Sequence, residues 1–204
     1  MIALVDYGAG NLRSVELALG RLGVPVRRAA TPAELEGAPG VVLPGVGAAG
    51  PAMDALRARE LIGSLSNPEG PPFLGICLGL QLLAEHSDEG EEPVRCLGVL
   101  PGRVRRFGSG VRIPHTGWND LALRRADPLL EGIPEGSDVF FNHAYRLECP
   151  GSFVAATATH AGPFPAIVRK GRWAGVQFHP EKSGPAGLRL LSNFWASCQE
   201  GAPC

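Results

Sequence analysis

Hydrophobic positions recur in two different rhythms along this chain, and the change falls near its middle. In the first half, short apolar runs are followed by stretches where apolar residues return every three or four positions. Residues 2–6 predict a buried first strand. Residues 11–22 put Leu12, Val15, Leu19 and Leu22 on one helical face, with Gly23 as a stop. Residues 24–28 predict a second strand. Residues 41–43 predict a third, leading into Pro44-Gly45-Val46-Gly47. Residues 51–65 predict a helix with Pro51 in its first turn. Residues 73–76 and then 78–86 predict a further strand–helix unit. Alternation of this kind implies an α/β fold: an open, mostly parallel sheet flanked by helices on both faces.

The second half is strand-rich. Residues 99–107, 139–147, 153–159, 166–168 and 172–178 predict short strands joined by Gly/Pro turns. They imply an antiparallel β extension beside the parallel sheet. Residues 187–196 predict a last helix, and 201–204 are expected to fray. No internal repeat, low-complexity tract or linker divides the sequence, so 1–204 is expected to form a single domain.

The densest chemical signal is Gly75-Ile76-Cys77-Leu78-Gly79. It lies where a predicted strand gives way to a helix. This is a thiol version of the G-x-S-x-G nucleophile elbow, in which glycines permit a tight turn and the corner residue rises above the sheet. A helix N-terminus behind the thiol favours the thiolate. The plainer alternative is a buried structural cysteine. Far downstream, Gln177-Phe178-His179-Pro180-Glu181 follows another strand-like run. His179 suits a general base toward Cys77, and Glu181 can hold the other ring nitrogen. Residues two apart on an extended segment face the same way, and Pro180 stiffens it. Alone, His-Pro-Glu reads as a surface turn. Beside the cysteine elbow, a Cys–His–Glu triad is the stronger reading.

Three other segments bear on the same chemistry. Gly45, Val46 and Gly47 follow a strand, where backbone N–H groups can aim at a developing oxyanion, and the Leu78 amide is a natural second donor. A plain strand–helix turn would look similar. Gln81 lies one helical turn beyond Cys77, on the same side. Gly8-Ala9-Gly10-Asn11-Leu12-Arg13 invites comparison with G-x-G-x-x-G, but Arg13 stands at the third glycine, which argues against a dinucleotide. His86, His115 and His160 lack metal-ligand spacing, so neither metal nor cofactor is expected.

Composition narrows the setting. A net charge of −1 over 204 residues gives no basis for a general nucleic-acid or membrane-surface binder. The five cysteines (Cys77, Cys96, Cys149, Cys198 and Cys204) have no framework or metal pattern. Neither a signal peptide nor a spanning apolar run is visible. Reduced thiols in the cytoplasm are expected.

Pro44-Gly45-Val46-Gly47, GICLGLQLL and QFHPEKSG together resemble the triad-type (class I) glutamine amidotransferases. Asp6-Tyr7-Gly8-Ala9-Gly10-Asn11, Ile113-Pro114-His115-Thr116-Gly117-Trp118-Asn119 and Lys182-Ser183 resemble one branch, the glutaminase subunits serving imidazole glycerol phosphate synthesis. Matching segments run from the first residues to about Gly184. The resemblance implies hydrolysis of glutamine through a Cys77 thioester, with His179 and Glu181 completing the triad. It implies that the loop with Gly45, Val46 and Gly47 must reorient to complete the oxyanion hole. It makes Gln81 a substrate contact, with His143, Ala144 and Tyr145 forming a pocket wall that acts through its main chain. Relatives often carry Ser or Thr where Ala144 stands. Ala9, Gly10, Asn11, Trp118 and Lys182 are implied to face a separate (β/α)8-barrel cyclase subunit in a heterodimer. A core Trp and a solvent-exposed Lys are the plainer readings of the last two. Such a barrel needs about 250 residues, more than this chain has. The rivals are a glutaminase subunit serving anthranilate or pyridoxal phosphate synthesis, and a catalytically silent nucleotide-binding module.

Overall fold

A computed structural model describes residues 1–8 and 10–200. Ala9, Cys204 and the expected fraying of 201–204 lie outside the described residues. The first half contains β1 (Ile2–Val5), α1 (Leu12–Arg21), β2 (Val26–Ala29), α2 (Pro32–Leu35), β3 (Val41–Gly45), α3 (Ala49–Ala58), α4 (Leu61–Ser66), β4 (Phe73–Cys77) and α5 (Leu78–Gln81). The second contains β5 (His86–Ser87), β6 (Val94–Arg95), β7 (Arg103–Arg106), β8 (His115–Asp120), β9 (Ala122–Leu123), β10 (Asp138–His143), β11 (Tyr145–Glu148), β12 (Val154–Thr159), β13 (Pro163–Lys170), β14 (Trp173–Val176) and α6 (Gly184–Glu200).

The main sheet has the order β2-β1-β3-β4-β14-β13-β12-β9. Its first five members run parallel, and β13, β12 and β9 continue it antiparallel. The expected parallel sheet with an antiparallel extension is therefore present. Alternation along β1 explains the layering. Ile2 and Leu4 enter one core with Val15 and Leu19 of α1 and Leu190, Leu191 and Phe194 of α6. Ala3 and Val5 enter a second core, with Met53 and Leu56 of α3 and Leu61 and Leu65 of α4. A two-stranded ribbon (β10-β8) and a four-stranded sheet (β11-β7-β5-β6) stand beside the main sheet.

Several elements differ from the sequence expectation. The helix expected over 51–65 is two helices, broken where Glu60 takes a left-handed φ of 58°. The helix expected over 78–86 ends at Gln81. The carbonyls of Leu82, Leu83 and Ala84 are instead taken by the amides of Leu97, Leu100 and Gly98. The strand expected over 139–147 is two strands in different sheets, interrupted at Ala144. Of 99–107, only Arg103–Arg106 is strand. β8 was not foreseen, nor was α2, although Thr31 and Glu34 form a capping box there. No helix among the described residues is long and apolar enough to cross a membrane.

Candidate active site

Cys77 ends β4, between β3 and β14, at the carboxyl edge of the parallel strands. Open α/β sheets place their ligand crevices there. Its backbone sits at φ 55°, ψ −106°, so the strained rotation of the corner is on the cysteine itself. The flanking glycines serve a different need. A Cβ at Gly75 would lie 2.4 Å from the Gly79 oxygen, and one at Gly79 would lie 1.9 Å from the Leu43 oxygen. Their absent side chains let strand, turn and neighbouring strand touch through backbone. The expectation that the glycines do the turning is corrected accordingly.

His179 leaves the end of β14. Its Nδ1 lies 2.8 Å from Glu181 Oε1, joined by one tight turn over Pro180–Lys182. Ser183 holds that turn in place. Its hydroxyl donates to the His179 oxygen at 2.6 Å and accepts from the Phe140 amide at 2.9 Å. Asn11 Nδ2 donates to the same Glu181 oxygen at 3.0 Å. Cys77 Sγ approaches the Asn142 oxygen at 3.9 Å and accepts from Gln177 Nε2 at 3.7 Å. Thiol and imidazole line one cavity of about 210 Å³. Gln81, Ala144 and Tyr145 form part of its wall, and Val46, Gly47 and Leu78 line it as well. A profile of the family described as "Glutamine amidotransferase class-I" matches residues 3–198.

The chain belongs to the class-I glutamine amidotransferase family. A protein named imidazole glycerol phosphate synthase subunit HisH from Xylella fastidiosa is 50% identical over 195 residues, covering 95% of this chain and 96% of the relative. One of the same name from Desulfitobacterium hafniense is 48% identical over 205 residues, covering 99% and 97%. A solved structure titled as a glutamine amidotransferase superposes with a TM-score of 0.77 at 24% identity, covering 97% of this chain and 98% of the other. A glutamine amidotransferase from Thermotoga maritima superposes at 0.63 with 22% identity, covering 98% and 84%. These two likenesses concern the amidotransferase fold.

Electrostatics in this amidotransferase cavity centre on His179. Burial works against its charged form. Hydrogen bonding to Cys77 and Glu181, with their negative charges, outweighs burial and raises its pKa to about 9. The sheltered ring is therefore a stronger base than a free histidine. The other described thiols are poor nucleophiles: burial pushes Cys96 and Cys149 to about 11 and Cys198 to about 12. A larger open hollow of about 640 Å³ follows residues 123–131, lined by Arg124, Arg125, Asp127 and Glu131, away from the thiol.

Most predicted residues converge on the cavity, with distinctions. Gly45 stands behind the wall, where a Cβ would meet Leu78 Cβ at 2.6 Å. Gly47, at φ 96°, has the rotation only glycine adopts readily. His143 borders the cavity, but its ring nitrogens turn to Tyr145 O and His115. On the face expected to meet a partner, Trp118 is 58% exposed and packs edge-on to Phe140. Lys182 Nζ lies 5.8 Å from the Phe140 ring centre. Asn11 faces inward as well, through Glu181, and Gly10 backs onto Pro44.

Gln177 and Glu89 were given no role from the sequence, while Asn142 belongs to the segment expected to form the pocket wall. Gln177 was within reach, because it alternates with His179 on one extended segment and must share its face. Glu89 lines the cavity from a loop rich in acidic residues and accepts the Ala49 amide at 2.8 Å. Nothing in its local pattern separates it from its solvated neighbours.

Proposed function

We propose that the chain is the glutaminase subunit of an imidazole glycerol phosphate synthase, acting in histidine biosynthesis, and that Cys77, His179 and Glu181 carry its chemistry. The observation that carries the chemistry is His179, held from behind by buried Glu181, opening with the Cys77 thiol onto one small cavity. Glutamine enters with its side-chain amide toward Cys77. The Glu89 carboxylate supplies the opposite charge for its α-ammonium group, and Gln81, with the main chain of 143–145, frames the rest. Cys77 Sγ, its proton already held by His179, attacks the amide carbon. The oxyanion is met by the Leu78 amide and by the loop carrying Gly45, Val46 and Gly47. The carbon–nitrogen bond breaks, His179 returns the proton to the departing ammonia, and a γ-glutamyl thioester remains. Water deprotonated by His179 then cleaves the thioester, releasing glutamate and the free thiol.

Both named relatives are subunits of a synthase, which supports a partner for this chain. The partner in this reading is a (β/α)8-barrel cyclase subunit that receives the ammonia within a heterodimer. It docks on the face bearing Gly10, Asn11, Trp118 and Lys182. The chain acts as one domain in the cytoplasm without nucleic acid, membrane or cofactor. Val46 is 44% exposed between tightly packed Gly45 and Gly47, which holds a positive φ with open space at its Cβ position, and this suits an oxyanion loop set by docking.

Steady-state glutamine hydrolysis by the chain alone and with the cyclase subunit tests this reading. The complex is expected to be faster, mainly in kcat. Cys77→Ala should abolish glutamine-dependent synthesis while leaving synthesis from added ammonium. A thiol reagent should label Cys77 ahead of Cys96, Cys149 and Cys198. Glutamine turnover surviving Cys77→Ala would remove the thiol from its role, and an isolated chain as fast as the complex would remove the gate.

A further inference from the structure

At and behind the cavity wall are two buried histidines whose rings the hydrolysis above does not use. His115 on β8 and His143 on β10 are paired residues of the two-stranded ribbon. His143 Nδ1 lies 2.7 Å from the Tyr145 carbonyl oxygen. A carbonyl can only accept, so this nitrogen carries a proton. His115 Nδ1 lies 3.1 Å from His143 Nε2, and His115 Nε2 lies 3.2 Å from Asn119 Nδ2. The Asn119 amide is oriented independently: its Nδ2 donates to the Thr159 oxygen at 2.9 Å, and its Oδ1 accepts the Asp120 amide at 2.9 Å. Asn119 therefore presents a donor to His115 Nε2, which must accept. His115 must then donate from Nδ1, and His143 must accept at Nε2. One proton arrangement satisfies every contact from Asn119 to Tyr145, and in it both rings are uncharged.

The line continues to the nucleophile. Tyr145 O takes a second hydrogen from Gln81 Nε2 at 3.0 Å, and the same nitrogen donates to Gln177 Oε1 at 3.0 Å. Gln177 Nε2 then reaches Cys77 Sγ. The rings are held rigidly from the side. His115 stacks between Phe141 and His160, with centroids 4.9 and 4.3 Å away. Phe107 and Phe164 meet both histidines at steeper angles. Burial pushes His143 down to about 3 and His115 to about 4, in keeping with uncharged rings.

We propose that His115 and His143 are positioning residues, a proton-ordered pair that fixes the Tyr145 carbonyl and, through it, the Gln81 amide in the glutamine cavity. Asn119 anchors the far end of the pair on the His115 side of β8, opposite the face that carries Trp118. The inference rests on the glutamine reading of the cavity. Neither ring touches a reacting atom, so the effect falls on substrate binding before chemistry.

Two measurements test it. Long-range ¹⁵N–¹H correlation spectra of the full chain at neutral pH should show both rings protonated at Nδ1 and bare at Nε2. A charged ring, or an Nε2–H form of either, overturns the ordering. Glutamine kinetics of the complex with the cyclase subunit then test its use. His143→Phe keeps the ring packing but cannot donate to Tyr145 O, and should raise KM roughly tenfold with a much smaller change in kcat. His143→Asn places an amide nitrogen near the position of Nδ1 and should recover most of that loss. An unchanged KM in His143→Phe, or an equal rise in both variants, overturns the proposal. Should His143→Phe fail to fold, the nitrogen spectra of the unmodified chain still decide. Should the unmodified complex fail to hydrolyse glutamine, the glutaminase reading fails, and the spectra report on the histidine pair separately.

Discussion

Glu181 Oε1 serves two donors at once, His179 Nδ1 at 2.8 Å and Asn11 Nδ2 at 3.0 Å. Removing each member of this group should therefore give a graded loss. His179→Ala deletes the base and should lower kcat by at least about 10³-fold. Glu181→Gln leaves a base that is poorly oriented and should cost about 10²-fold. Asn11→Ala removes only a donor to the carboxylate and should cost less than about tenfold. Steady-state kinetics of the complex rank the three, and Glu181→Gln matching wild type would take the carboxylate out of the triad. These residues were legible because each half of the triad is local in sequence. Glu89 was not, because its importance comes from a cavity assembled by distant segments. Asn11 was legible only in part: its motif drew attention, while its bond to Glu181 spans 170 positions.

At the level of elements, the apolar rhythm reports burial well and partnership poorly. It continues unbroken through 139–147 while the chain leaves one sheet for another at Ala144. It continues through 82–86 as well, yet the segment 96–100 claims the carbonyls that a longer helix would need. The inner parallel strands β1, β3, β4 and β14 were visible because their residues are almost all buried, whereas the edge strand β2 carries Arg27 and Arg28. The elbow gives the sharpest test of packing. Gly79→Ala would set a methyl group 1.9 Å from the Leu43 oxygen, where only backbone can yield. It should destabilise the fold by about 3 kcal/mol and depress glutamine turnover with it. Gly20→Ala, in α1 with open space at its Cβ position, should instead be neutral or stabilise by up to about 1 kcal/mol. Urea denaturation of the two variants checks the contrast, and equal midpoints would contradict it.

Over the whole molecule, three buried histidines set opposite limits on stability. His115 and His143 are held at about 4 and about 3, below the 6.5 of a free imidazole. As pH falls below 6.5, the unfolded chain takes up protons that the native state refuses, and stability declines. The slope is at most about 1.4 kcal/mol per pH unit for each ring. His179 is raised to about 9, so its contribution is complete below 6.5 and is lost as pH rises through 9. Among these three groups the optimum therefore falls near pH 6.5. Thermal unfolding from about pH 4.5 to about pH 9.5 should show it. His143→Phe should flatten the acid limb, and an unchanged limb would contradict the assignment. One further consequence follows from the change of sheet at Ala144. Where the chain passes from one ladder to the next, the carbonyls of Asn142, Ala144 and Tyr145 meet Cys77, Phe107, Gln81 and His143. Under the proposed glutaminase reading, a ligand gripped there by main chain would be indifferent to the side chain at 144. On that reading, a change at 144 from hydroxyl to methyl would leave glutamine recognition in place.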